Sequence, residues 1–178
     1  MADDNRNIME KAKDVIEAGV AKTMAFGKET DQSALQKLHE INLAEIQVGR
    51  LGEERGMSAL AREYGARLVQ DHEALDKRVM DVARDQRIDL SPSALTDGAK
   101  GLREKLHSIK SNIEQSKAAD FDQTFADQMV KGHEKATAIA KHAVDDVKSD
   151  EVKNLLRTTI PALEEHLRQA EQLQGLRH

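Results

Sequence analysis

Residues 64–79 read YGARLVQDHEALDKRV, and the apolar side chains in this stretch recur every three or four positions. This spacing follows the 3.6-residue period of an α-helix and predicts a helix with one apolar face. His72 lies in the middle of that face, between Leu68 and Leu75. An ionisable side chain on a buried face is costly unless it is hydrogen-bonded or coordinated, so His72 is the first candidate functional residue.

Three further segments repeat this pattern, each with one metal-competent residue inside an apolar stripe. Those residues are Glu45, His133 and His166. All four lie near the middle of their predicted helices, so we expect them to converge at one level. The four stripes are Leu38, Ile41, Glu45 and Val48; Tyr64, Leu68, His72, Leu75 and Val79; Phe125, Met129, His133, Ala136 and Ala140; and Leu155, Thr159, Leu163, His166 and Ala170.

The composition favours helices throughout the chain. Of the 178 residues, 10 are Gly and 2 are Pro, and no run of alternating β-branched residues indicates a sheet. Breaks and capping residues predict a first amphipathic helix over 5–27, and then helices over 33–55, 59–87, 98–115, 120–147 and 150–174, with Asp31 or Ser33, Ser58 and Ser149 as caps.

These helices predict an all-α protein with two parts. Residues 1–30 form an N-terminal amphipathic extension, and residues 31–178 form an antiparallel four-helix bundle of two long hairpins. The helix at 98–115 belongs to the connection between the hairpins. That connection fits either a crossover, as in ferritin-like bundles, or an additional helix in an up-down bundle.

Charge and hydropathy limit the classes of partner. The net charge is −5, and acidic and basic residues alternate along the chain, which argues against a nucleic-acid surface. No stretch approaches 18 apolar residues, so no membrane span is predicted. The start of the chain lacks a secretory signal, which predicts a cytoplasmic protein as written, or an envelope protein if a signal was removed. The apolar face of helix 5–27 needs a cover, and a second copy of the chain is one candidate.

Three imidazoles and one carboxylate form a suitable ligand set for a divalent transition metal, zinc first, with iron, manganese and copper as alternatives. Asp76, four residues after His72, is a further candidate ligand or hydrogen-bond partner. Nothing in the sequence implies an organic cofactor. The neighbours Asp71, Glu134 and Glu165 are expected to face solvent or an adjacent helix, and His39, His107, His142 and His178 are expected at the surface.

A di-iron oxidase is disfavoured. Its pattern places Glu three residues before His on two helices, whereas Val69, Val130 and Leu163 occupy those positions here. The sequence therefore predicts one mononuclear site formed by Glu45 and the three histidines, which is non-catalytic or of unknown reactivity. Two alternatives remain: a metal-free structural or stress-associated protein with a buried His–Glu hydrogen-bond network, and a mononuclear metalloenzyme.

Four motifs carry a family resemblance. They are NLAEIQVG at 42–49, LVQDH at 68–72, FDQTF at 121–125 followed by MVKGHE at 129–134, and IPALEEHLRQA at 160–170. From Leu35 onward the chain resembles a bacterial family called domain of unknown function 4142, many of whose members are labelled outer-membrane proteins. The resemblance implies a ferritin-like four-helix bundle and brings no agreed activity.

Overall fold

A computed structural model describes residues 28–175 as five α-helices, and no strand occurs in that range. The prediction of an all-α protein is confirmed, and the predicted helix ends agree within about two residues. The predicted helix at 5–27 lies outside the described residues. The observed helices are α1 (Asp31–Arg55), α2 (Ala59–Asp85), α3 (Asp97–Glu114), α4 (Phe121–Asp146) and α5 (Asp150–Gly175).

The cap of α1 differs from its prediction. Thr30, rather than Asp31 or Ser33, is the N-cap, and its hydroxyl accepts a hydrogen bond from the Ser33 N–H at 3.1 Å. Asp31 lies in the first turn, where its carboxylate accepts hydrogen bonds from the backbone N–H groups of Lys148 and Ser149. The start of α1 is thereby joined to the turn between α4 and α5.

Glycines allow α1 and α2 to approach closely. A Cβ atom at Gly65 would lie 2.5 Å from the backbone nitrogen of Glu53 and 2.6 Å from the carbonyl oxygen of Gly49. A Cβ atom at Gly52 would lie 2.5 Å from the ring of Phe125 on α4. Near the turn that joins them, the backbones of α1 and α2 are therefore in contact, and no larger residue fits at these glycines without separating the helices.

Helix α3 runs parallel to α1 and returns the chain to the opposite end of the protein. Gln36, near the start of α1, accepts a hydrogen bond from the backbone N–H of Thr96, just before α3. Arg55, at the end of α1, donates to the carbonyl oxygen of Glu114 at the end of α3. Helix α4 then starts beside the α1–α2 turn, where Asp122 accepts from the Ser58 N–H. The connection is thus a crossover, and α4 runs antiparallel to α1.

Two apolar clusters form the core, one toward each end of the helices. In every stripe the polar residue separates them: Glu45 lies between Ile41 and Val48, and His72 lies between Leu68 and Val79. The same holds for His133 and His166. A polar layer therefore crosses the middle of the core. Within residues 28–175, none of the helices is long and apolar enough to cross a membrane.

Candidate metal centre

Three histidines from three helices meet at mid-height. His72 is on α2, His133 on α4 and His166 on α5, and one ring nitrogen of each lies within 4.8 Å of the others. Their ring centroids are 5.1 to 6.1 Å apart. His72 and His133 are fully buried, and His166 is 1% exposed. The structure therefore gathers the three imidazoles that the stripes predict into one enclosed cluster.

The other ring nitrogen of each histidine is held by an acceptor. His72 Nδ1 lies 2.9 Å from Oδ1 of Asn42 on α1. His133 Nδ1 lies 3.0 Å from the carbonyl oxygen of Met129, one turn earlier on α4. His166 Nε2 lies 2.9 Å from Oδ2 of Asp71 on α2. Because all three partners are acceptors, each of these ring nitrogens carries the proton and donates.

The remaining nitrogens therefore carry lone pairs. Nε2 of His72, Nε2 of His133 and Nδ1 of His166 are buried and have no hydrogen-bond partner among residues 28–175. A buried polar atom left in this condition costs about 1–3 kcal/mol, so three in one cluster require an explanation. Outward N–H donation with an inward lone pair is the arrangement that metal-binding histidines adopt.

Burial also favours the neutral form of His72 and of His166. It lowers the pKa of His72 well below 6.5, and the neighbouring His166 and His133 lower it further. Burial lowers the pKa of His166 as well, although the hydrogen bond to Asp71 acts in the opposite direction. A neutral imidazole is the form that binds a metal, so the surroundings favour the binding state at neutral pH.

Glu45 lies beside the three-histidine cluster and is not part of the group whose ligand atoms converge. Its side chain is 4% exposed, and Oε2 has no hydrogen-bond partner among the described residues. Burial raises the pKa of Glu45, while the charge of His133 lowers it. Glu45 in turn adds to the rise in the pKa of Tyr64 that burial causes. A Cβ atom at Gly132 on α4 would lie 3.6 Å from Oε1 of Glu45, so the carboxylate faces α4.

Asp76 has a different partner from the one expected. Its Oδ1 lies 2.7 Å from Nδ1 of His39, and the structure does not place it in the converging group. The prediction that His39 lies at the surface is wrong, because its side chain is only 15% exposed. The hydrogen bond to Asp76 raises the pKa of His39. This pair joins α1 to α2 one turn away from His72.

Sequence reasoning did not predict the roles of the two side chains that orient His72 and His166. Asn42 precedes Glu45 by one helical turn, and its amide oxygen fixes His72. Asp71 adjoins His72 in sequence, and it was expected to face solvent or a neighbouring helix. It faces α5, where it fixes His166 instead of its own neighbour. Its position beside a stripe histidine was the available signal, but the choice of partner depends on the packing of α2 against α5.

Comparisons with known proteins agree with this fold and with the resemblance. The model of the family described as domain of unknown function, DUF4142, matches residues 16–173. The chain belongs to this family, and the match begins earlier than the Leu35 boundary expected from the motifs. No curated protein matches the chain.

A solved structure described as "CopM in the Cu(II)-bound form" resembles the protein with a TM-score of 0.68. The two are 14% identical, and the alignment covers 83% of this chain and 97% of the CopM chain. At this level of identity the likeness concerns the fold alone.

Proposed function

We propose that the protein binds one divalent transition-metal ion through His72, His133 and His166. The observation that carries this proposal is the set of three buried, unpartnered ring nitrogens, each opposite an outward N–H that is already hydrogen-bonded. Such a set has its tautomers fixed before any ion arrives, which reduces the cost of organising the site.

The proposed architecture is a ferritin-like four-helix bundle formed by α1, α2, α4 and α5, with α3 as the crossover. It is supported by the hairpin pairs and by the parallel course of α1 and α3. We further propose that this bundle folds without the N-terminal extension. Because Thr30 caps α1 and Glu29 is buried against Lys37, the boundary belongs before residue 28, rather than at residue 31.

The donor set favours copper(II) or zinc. Imidazole nitrogen suits both ions, and divalent affinities rise toward copper and fall at zinc. Zinc–nitrogen bonds of about 2.0–2.1 Å place two ligand nitrogens about 3.3 Å apart in a tetrahedral site. One ring nitrogen of each histidine lies within 4.8 Å of the others, so the three have to move closer together to bind an ion in this geometry. The Cu(II) bound in the CopM structure supports testing copper first.

The metal-free alternative meets a physical difficulty. A hydrogen-bond network needs a donor opposite each acceptor, whereas the three inward nitrogens all present lone pairs. A proton shared within the cluster would supply a donor, but burial lowers the pKa of His72 and of His166. A cation that accepts three lone pairs satisfies all of these atoms at once.

A di-iron oxidase is not proposed, since it requires about four bridging carboxylates and the stripes supply one, Glu45. We propose a role in holding a metal ion rather than in catalysis.

The test is titration of the purified, tag-free protein with Cu(II) and Zn(II) in the presence of a competing chelator. We expect one ion per chain, and a loss of most of the affinity in His72→Ala, His133→Ala and His166→Ala. His107→Ala, which changes an exposed histidine on α3, is the matched control and should bind as the wild type does. Equal binding by wild type and His133→Ala would refute the proposed site.

A further inference from the structure

A cavity lies between α1, α3 and α4, beside the three-histidine cluster. Its volume is about 670 Å³, within the range of ligand pockets. Apolar side chains form much of its wall, and Lys28, Lys105, Lys135 and Asp97 are among the charged residues that line it. The apolar wall residues include Ile41, Leu102, Leu106, Ile109 and Ile139.

Glu45 connects this cavity to the cluster. It lines the cavity together with Gly132, and its Oε1 would lie 3.6 Å from a Cβ atom at Gly132, the residue next to His133 on α4. The histidines themselves are at most 1% exposed, so an ion cannot reach them directly from solvent. Glu45 is itself 4% exposed and has an unpartnered carboxylate oxygen, which makes it a built polar group at the inner end of the cavity.

Gly132 keeps this inner end open. It lies inside α4, where glycine costs about 1 kcal/mol relative to alanine. A Cβ atom there would lie 3.6 Å from Oε1 of Glu45, and apart from its own helix backbone and chain neighbours no other described atom comes within 4 Å. Alanine would therefore fit by ordinary contact, and a larger side chain would cover the carboxylate. The residue that costs helix stability is the one that leaves Glu45 facing the cavity.

We propose that this cavity is the route by which the divalent ion reaches the three histidines, with Glu45 as the carboxylate that receives the ion and passes it on. This inference rests on the proposed function and adds the path and the residue that controls it. A carboxylate oxygen is a suitable transient ligand for a cation that still carries water, and imidazole then binds the softer ions more tightly.

The route has a defined electrostatic signature. Lys37 neutralises Glu29 in the cavity wall, and the three other lysines of the wall outnumber Asp97 and Glu45. A dication therefore enters along a net positive wall, and salt screens that repulsion. The association rate should therefore rise with ionic strength. If the ion entered through an acidic surface, the association rate would instead fall as ionic strength rises.

A residue on the path has a kinetic effect that differs from that of a ligand. Changing a gate alters the association and dissociation rates by the same factor and leaves the dissociation constant unchanged. Removing a ligand raises the dissociation constant, chiefly through faster dissociation. Stopped-flow association of Cu(II) or Zn(II), combined with chelator-driven release, measures both rates on the full chain.

We expect Glu45→Gln to slow association and release together by about tenfold. Gly132→Leu should do the same by covering the carboxylate, whereas Gly132→Ala should keep the wild-type rates and raise the melting temperature. Leu106→Trp should narrow the cavity from the α3 side, and it replaces Gly132→Leu as the test if that variant does not fold.

Unchanged rates in Glu45→Gln and in both narrowed variants would overturn the route while leaving the histidine site intact. A higher dissociation constant with unchanged association in Glu45→Gln would make Glu45 a ligand and overturn its role as a gate. A wild-type protein that binds neither ion would overturn the proposed function itself, and the route with it.

Discussion

The buried, unpartnered nitrogens should destabilise the metal-free protein, so replacing one of them with an apolar side chain should stabilise it. The variant His133→Leu tests this prediction. Among the three histidines, His133 can be replaced with the least disturbance. Its outward N–H donates to the Met129 carbonyl oxygen, which also accepts the backbone N–H one turn later along α4. Loss of the imidazole therefore leaves no new unsatisfied group there. The same change at His72 would leave Asn42 without its partner.

The magnitude follows from two opposing effects. Removing a buried acceptor that has no partner gains about 1–3 kcal/mol, and losing one side-chain hydrogen bond costs about 0.5–1.5 kcal/mol. Leucine is similar in size and fills a fully buried position with apolar atoms. We expect a net gain of about 1–2 kcal/mol. For a chain of this length, that gain raises the melting temperature by roughly 2–8 °C.

The assay is thermal unfolding in the presence of a chelator, followed by unfolding with excess Cu(II) or Zn(II). Because His133 lowers the pKa of Glu45, the comparison is repeated in a Glu45→Gln background to remove that contribution. With ion at about 100 times its dissociation constant, the wild type should gain about 2.7 kcal/mol and overtake the variant. A chelated His133→Leu protein that melts well below the chelated wild type would refute this reasoning and favour a structural hydrogen-bond network.

The contacts around the site lead to three further predictions. Asp71→Asn should weaken metal binding about 10–100-fold in a titration, because a carboxylate partner makes His166 a stronger ligand, whereas the control Asp81→Asn on the same helix should not. Gly65→Ala should lower the melting temperature despite its better helix propensity, because its Cβ atom meets backbone atoms at 2.5–2.8 Å. His39→Gln should cost more stability in denaturant unfolding at about pH 5.5 than at about pH 9. Asp76 raises the pKa of His39, so the contribution of the pair is complete below the unfolded pKa near 6.5 and is lost as pH rises through the folded value.

The periodicity of apolar residues was sufficient to predict the helices and the three histidines that meet. Each histidine occupies a stripe position, and the helix period determines which face a stripe occupies. The crossover could not be predicted, because the course of α3 depends on contacts distant in sequence. Gln36 bonds to the segment before α3 across 60 residues, and nothing local to either segment specifies that pairing.

The orientation of the imidazoles was also beyond sequence reasoning. Stripe spacing places a ring on a helix face but does not decide which nitrogen points inward. For His72 and His166 that choice depends on Asn42 and Asp71, which belong to neighbouring helices. Glu45 shows the same limit. Its stripe places it on the buried face of α1 near the middle of the helix, but the ligand atoms that lie within 4.8 Å of one another belong only to the three histidines.

The distribution of the cluster over the helices gives metal binding a mechanical consequence. His72 belongs to the first hairpin, whereas His133 and His166 belong to the second, so a bound ion would join the two hairpins across α2 and α5. Apart from the ion, packing of α2 against α5 includes the hydrogen bond from Tyr64 to the carbonyl oxygen of His166. Because the ion binds only when the hairpins are docked, it should suppress their separation by the full free energy of binding. Backbone hydrogen exchange in α2 and α5 should therefore slow when metal is added, and α3, which contributes no ligand, should change less. Uniform slowing of exchange that includes α3 would instead indicate that exchange occurs through global unfolding, and that the two hairpins do not separate as independent units.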